Sequence, residues 1–312
     1  MRLKRTEDDE LQNMNKPQST ARSTKRRHKG AAGYVQSGIV ALFGFMVLTL
    51  MFFGGDFNRV SQAVAADGHS SETKVLELFT SHGCYSCPPA DELLGELLKS
   101  DPNIIALEFH VDYWDKLVYG SDGSFKDPYS NPEYTLRQHA YNQQRLEGRR
   151  GVYTPQMVVN GRYVAVGSQR RYIKHGLDTI KRPYVDLSVT TDSAAGAART
   201  NLQITVDNSA GNDIPRDAYV WLAIFDVETT TKITGGENNR KTLVNHHVVR
   251  QFEPIQTSNG PGALRDGALT LELETEIALE KGQGCAVVFQ RTSPGPIYGA
   301  SYCPDEIWRV PG

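Results

Sequence analysis

Cys84 and Cys87 are separated by Tyr85 and Ser86, and they fall between an apolar strand-like run, Lys74–Phe79, and a helical pattern that begins at Pro88. This setting carries more information than the spacing alone. At a helix N-terminus the free N–H groups and the dipole stabilise a thiolate, which lowers the pKa of the first cysteine. The two-residue gap lets the second sulfur reach back and attack a mixed disulfide. Cys84 is therefore the expected nucleophile and Cys87 the resolving thiol. Pro88 and Pro89 suit the first helical turn, where N–H groups lack partners anyway. The competing chemistries are a structural bridge and a metal site. Zinc would need two more ligands, and Cys285 and Cys303 lie far along the chain with a different spacing. Cu(I), which two thiolates can hold, is the stronger rival. The thiol reading itself calls for no metal and no cofactor.

Several residues near the pair have types that could assist it. His82, as an imidazolium, could lower the pKa of Cys84, although a solvated loop histidine is the plainer reading. Glu77 shares a strand face with Val75 and Phe79, and a buried carboxylate there could accept a proton from Cys87. His110 and Asp112 follow a second apolar run, Asn103–Val111, and could shuttle a proton or rim a substrate site; a capped strand end packed by Trp114 is the bland alternative. Arg149 and Arg150 could bind an anion or simply be solvated. His246 and His247 are adjacent, so a strand would aim them at opposite faces. Cys285 and Cys303 flank Ser293-Pro-Gly-Pro296 symmetrically. If that segment is a hairpin turn, the two stand opposite each other, near disulfide range.

The elements that must position these residues fall into two patterns. From 72 to 181, strand-like runs (Lys74–Phe79, Asn103–Val111, and a hairpin over Gln156–Val166 turning at Asn160-Gly161) alternate with helix-like ones (Pro88–Lys99, Pro132–Leu146, Arg170–Ile180). That order predicts an α/β layer with a mixed sheet. From 184 to 308, seven short apolar runs are separated by Gly, Asn, Asp and Pro: Val185–Thr190, Leu202–Val206, Tyr219–Val227, Leu243–Phe252, Leu269–Leu273, Cys285–Gln290 and Ile297–Tyr302. This predicts an all-β, sandwich-like domain. The polar stretch Gly235–Lys241 between two of these runs is a hairpin loop or a binding loop.

The chain has 312 residues and a net charge of −2, unevenly spread. Residues 1–37 hold nine basic and four acidic residues and read as a disordered cytoplasmic tail. Residues 66–312 hold 24 basic against 31 acidic residues, which argues against a nucleic-acid partner. Residues 38–66 read as a signal peptide or membrane anchor. Gly33–Gly55 is free of charge for 23 residues, between the length of a signal core and that of a spanning helix, and Ala63-Val-Ala65 fits a cleavage site. The basic residues ahead of it predict an exported, periplasmic or secreted body, held at the inner membrane through residues 34–55 if uncleaved. Export makes disulfide chemistry plausible.

Leu78-Phe-Thr80 before the CxxC and Tyr153-Thr-Pro-Gln-Met-Val-Val-Asn-Gly161 resemble glutaredoxin segments. Longer motifs resemble a bacterial secreted thioredoxin-like family labelled domain of unknown function 1223: Glu77–Asp91, Phe109–Asp115, Arg149–Met157, Gly236–Arg240 and Gly284–Ala286. The resemblance implies a thioredoxin-like domain over 72–181 ahead of the β domain, with a cis Pro155, preceded by Thr154, facing the CxxC and shaping the substrate groove. The implied activity is thiol–disulfide exchange with envelope protein thiols or small thiols. A Cu(I)-binding or metal-delivery protein and a non-catalytic envelope binding protein remain the alternatives.

Overall fold

Lys74–Thr80 (β1) and Ile104–His110 (β2) are buried on both faces, the pattern of strands inside a sheet. They pair in parallel, Phe79 beside Phe109 and Thr80 beside His110, and Pro88–Ser100 (α1) lies between them in the chain. Alternation then sorts their side chains. Val75, Phe79, Ile105, Leu107 and Phe109 join the core on one face. Leu76, Leu78, Ile104 and Ala106 join the core that holds Leu93 and Leu94 of α1. Glu108 and His110 share the parity of this second set, and both are fully buried.

The structure, a computed structural model, describes residues 73–117, 126–179, 185–194, 197–257, 260–262 and 270–308. The basic tail and the apolar segment of residues 34–55 lie outside the described residues. All described residues belong to one compact unit, Gln62–Gly312. Among them no helix is long and apolar enough to cross a membrane.

Trp114–Leu117 (α2) is a single turn. Pro132–Gln143 (α3) starts at Asn131, whose side chain accepts a hydrogen bond from Glu133 N–H, with Pro132 in the first turn. Glu147–Gly148 (β3) is an edge fragment. Gln156–Val159 (β4) and Tyr163–Val166 (β5) form a hairpin. Its turn residues Asn160 and Gly161 both have positive φ, at 48° and 62°, as a tight primed turn requires. Arg170–Thr179 (α4) follows. Asp186–Thr191 (β6), Thr200–Asp207 (β7), Ala218–Lys232 (β8), Thr242–Pro254 (β9), Gln256–Thr257 (β10), Gly260–Pro261 (β11), Thr270–Ile277 (β12), Gln283–Arg291 (β13) and Ile297–Tyr302 (β14) complete the chain.

The fold departs from the expected class. The chain is not an α/β thioredoxin-like domain followed by an all-β sandwich-like domain. It is mostly β, built on one nine-stranded mixed sheet in the order β14-β13-β8-β9-β2-β1-β4-β5-β3, with a separate three-stranded sheet, β12-β7-β6. The physical reason is the length of the β8–β9 hairpin, 15 and 13 residues. β8 pairs with β13 along Ala218–Asp226, then runs on past it to Lys232 beside β9. β9 meets β2 in parallel at Val248 and Glu108. The open edge of β2 is thereby closed by a strand from the second half of the chain.

One apolar core spans that sheet on the α3 side, from Val75 and Phe79 to Ala286 and Val288. The alternate residues of β13 and β8 (Cys285, Val287, Phe289, Val220, Leu222) pack with Leu187, Leu202, Ile204 and Leu273 of the three-stranded sheet.

Candidate functional site

Cys84 and Cys87 are joined by a disulfide, and neither has any exposed surface. The bridge closes the turn that leads from β1 into α1. Cys87 is the N-cap residue of α1; Cys87 N–H bonds Cys84 O at 3.2 Å, and Cys87 O accepts from Ala90 and Asp91 N–H. Pro88 and Pro89 take positions that have no N–H partner to lose. Tyr85 stands out from the turn, 66% exposed.

The peptide bond Thr154–Pro155 is cis. The β1–β4 register runs from Leu76 beside Val159 to Phe79 beside Gln156, so one further step brings Pro155 to Thr80, where the CxxC turn begins. Trp114 Nε1–H donates to Thr154 Oγ1 at 2.7 Å. Gly167 explains how closely this corner is packed: a Cβ there would lie 3.0 Å from Ala90 of α1 and 3.1 Å from Pro155.

A buried polar cluster lies on the α1 side of the sheet, at the ends of β1 and β2. Thr80 Oγ1–H donates to Asp91 Oδ1 at 2.8 Å. Asp127, from the loop before α3, accepts His82 N–H and lies against His110 Nδ1, each at 2.8 Å from Oδ2, and its Oδ1 accepts Tyr129 N–H. The His82 and His110 rings pack edge to face, with centroids 4.9 Å apart. His82 Nε2 is 2.9 Å from Asn245 Oδ1, and Asn245 Nδ2–H donates to Glu108 Oε1 at 2.5 Å. Glu108 Oε2 also accepts His246 N–H.

The electrostatics follow from this crowding. Burial, and then the negative charge of Glu108, push the Asp91 carboxyl well above its ordinary range. Burial acts against a charge on His110, but Asp127 and Glu108 beside it overcome that and hold its pKa well above the ordinary value. Burial likewise opposes the Asp127 carboxylate, and its contacts with His110 and His82 win, holding its pKa well below the usual range. His82 is lowered, by burial and by the charge on His110.

The tip of the β8–β9 hairpin, Ile233–Lys241, closes over the CxxC turn. Asn238, fully buried, donates through Nδ2 to His82 O and to Cys84 O, both at 2.9 Å. Glu237 accepts Tyr85 N–H at 2.9 Å. Lys241 Nζ donates to Asn238 Oδ1 and sits 4.5 Å from the centroid of the Tyr85 ring.

The other sequence candidates lie elsewhere. Glu77 is on the α3 side of the sheet, where Arg137 Nη2–H donates to it at 2.6 Å; Arg137 also reaches Tyr141 and Gln290. Asp112 accepts from Thr135 Oγ1–H of α3. Arg149 lies over the Tyr153 ring. His247 stacks on Phe225, whereas His246 lies toward α1, where a Cβ on Gly95 would collide with its ring. Cys285 of β13 and Cys303, the residue after β14, form a disulfide, with Cα atoms 5.4 Å apart. Sequence reasoning missed Asp91, Glu108, Asp127 and Asn245, and it singled out Asn238 only as part of the Gly235–Lys241 loop. Asp91 had a usable signal, one helical turn after Cys87, and Glu108 had another, its alternation with His110 on one strand face.

A protein from Agrobacterium tumefaciens, known from a structural genomics crystal structure, is 30% identical to this chain; the match covers 75% of this chain and 94% of that one, with a TM-score of 0.55. No curated protein matches the chain. The sequence family described as "Protein of unknown function (DUF1223)" matches residues 75–290. Together with the Agrobacterium protein, that span shows that the chain belongs to the DUF1223 family.

Proposed function

We propose that the Cys84–Cys87 pair exchanges disulfides with protein or small-molecule thiols outside the cytoplasm. One observation carries this reading: the bridge spans only two residues and ends at the N-terminus of a 13-residue helix, where a released thiolate is stabilised. A substrate thiolate attacks Sγ of Cys84, forms a mixed disulfide and releases Cys87 as a thiolate. A second substrate thiolate then attacks the mixed disulfide. It leaves Cys84 as a thiolate and the substrate oxidised, so two electrons pass to the pair. The reverse sequence oxidises the pair. Asp91, one helical turn from Cys87, has its carboxyl pKa raised well above the ordinary range by burial and by Glu108, and in this reading it is the group that gives Cys87 its proton. Pro155 and Thr154 form the rim at the adjoining strand. Two disulfides in the chain suit an oxidising compartment.

The test is the reduction potential of the pair. The full chain is equilibrated in glutathione buffers, free thiols are alkylated and masses read, with Cys84→Ser as control. A reversible two-electron transition between about −120 and −270 mV supports exchange, and a pair that stays oxidised below about −300 mV is structural and removes the proposal.

A further inference from the structure

Two imidazoles and a carboxylate meet beside the CxxC turn in an arrangement that hydrogen bonding alone leaves unfinished. One donor atom from each of His82, His110 and Asp127 lies within 4.8 Å of the others, and all three side chains are buried. His82 Nδ1 is 3.4 Å from Asp127 Oδ1, and His110 Nδ1 is 2.8 Å from Asp127 Oδ2. Both Nδ1 atoms therefore face the same carboxylate. The far nitrogens face acceptors: His82 Nε2 meets Asn245 Oδ1 at 2.9 Å, and His110 Nε2 lies 3.3 Å from Glu108 Oε1. With its proton on Nε2, His82 keeps a lone pair on Nδ1, and among the described residues that atom has no hydrogen-bond partner. A buried lone pair aimed at a carboxylate is unfavourable, and buried polar atoms are almost always satisfied.

We infer that His82 Nδ1, His110 Nδ1 and Asp127 form a site for a divalent first-row cation such as Zn²⁺, with Asn245 and Glu108 orienting the two imidazoles from behind. Ligands of a tetrahedral zinc with bonds of about 2.0–2.1 Å stand about 3.3 Å apart; His82 Nδ1 is 3.4 Å from Oδ1 and His110 Nδ1 2.8 Å from Oδ2 of Asp127, and one donor atom of each residue lies within 4.8 Å of the others, so a small inward shift closes the set around a cation. Histidine ligands characteristically hold their second nitrogen against a carbonyl or carboxylate; Asn245 Oδ1 does so for His82, and Glu108 Oε1 stands 3.3 Å from His110 Nε2, a buried nitrogen with no hydrogen-bond partner among the described residues. Imidazole and carboxylate donors select zinc and its neighbours rather than Cu(I). The fourth position is left to water or a substrate atom. The site uses neither sulfur, so it is independent of the exchange activity proposed above.

The full chain, purified with a chelator and kept oxidised, is titrated with Zn²⁺ in competition with a chromophoric chelator. One Zn²⁺ per chain is expected, retained in the Cys84→Ser/Cys87→Ser variant and weakened at least tenfold in His82→Ala and His110→Ala. Because those two variants can fail to fold, the wild-type protein is also loaded with Co²⁺. Ligand-field bands without a thiolate-to-cobalt charge-transfer band identify a nitrogen and oxygen site. No stoichiometric binding by the oxidised wild type, binding lost with the cysteines, a thiolate band, or unchanged affinity in folded histidine variants would each overturn the inference. Failure of the potential measurement leaves this result standing, and the converse also holds.

Discussion

The contact between the hairpin tip and the CxxC turn sets how fast the Cys84–Cys87 bridge can be reduced. Both sulfurs are buried, so an external thiol reaches them only after local opening. Asn238 opposes that opening with two hydrogen bonds, to His82 O and Cys84 O. A buried hydrogen bond contributes about 1 kcal/mol net, so Asn238→Ala lowers the cost of lifting the tip by about 2 kcal/mol. At about 1.4 kcal/mol per tenfold, the open population rises roughly 30-fold. When reclosing outpaces attack, the reduction rate rises by the same factor. The assay is reduction by dithiothreitol under pseudo-first-order conditions, quenched by alkylation and followed by mass. Asn239→Ala, at an exposed position of the same tip, is the control and should leave the rate unchanged. A destabilised Asn238→Ala protein whose bridge is reduced at the wild-type rate would refute the reasoning, because opening would then occur elsewhere.

Three further outcomes are expected. Glu77→Gln removes the counter-charge of buried Arg137 and should cost about 3 kcal/mol or more, a fall in Tm of roughly 6 °C or beyond; Glu77→Leu combined with Arg137→Met should recover much of it. Replacing Cys285 and Cys303 together by Ala opens a link of sequence separation 18 and should lower stability by about 3 kcal/mol while leaving Cys84–Cys87 reduction unchanged, read by urea melts and by the same alkylation assay. Asp91 has its folded pKa raised, so the stability it contributes is full below its unfolded value near 3.9 and is lost as pH rises through the folded value. Asp91→Asn should therefore gain on the wild type from pH 4 upward, by about 1.4 kcal/mol per pH unit until the folded carboxyl ionises; a difference that stays flat between pH 4 and 8 would show that Asp91 is not held neutral.

The elements were legible where local pattern suffices. Helix α1 announces itself by Pro88-Pro89 and the leucines that follow, the β4–β5 turn by Asn160-Gly161, and most of the later strands by apolar runs between turn residues, although β8 and β12 run four or five residues past theirs and the short β10 and β11 have none. What the pattern could not give is the partner of each edge. The run Ile104–His110 is buried on both faces, yet nothing within it says that β9, more than 130 residues later, lies beside it. The apolar runs Tyr219–Val227 and Leu243–Phe252 stop short of the 15 residues of β8 and the 13 of β9, so the extension that carries the hairpin past its own sheet does not show in them. The fold correction and the missed site residues thus share one cause. The same overlong hairpin that joins the two halves of the chain into one sheet carries Asn245 to His82 and Glu108, and Asn238 to the carbonyl of Cys84. A reading that closes the first half of the chain on itself must leave His82 a solvated loop residue. Only with β9 in place does it become a buried imidazole, held from behind, beside a disulfide that the hairpin tip covers.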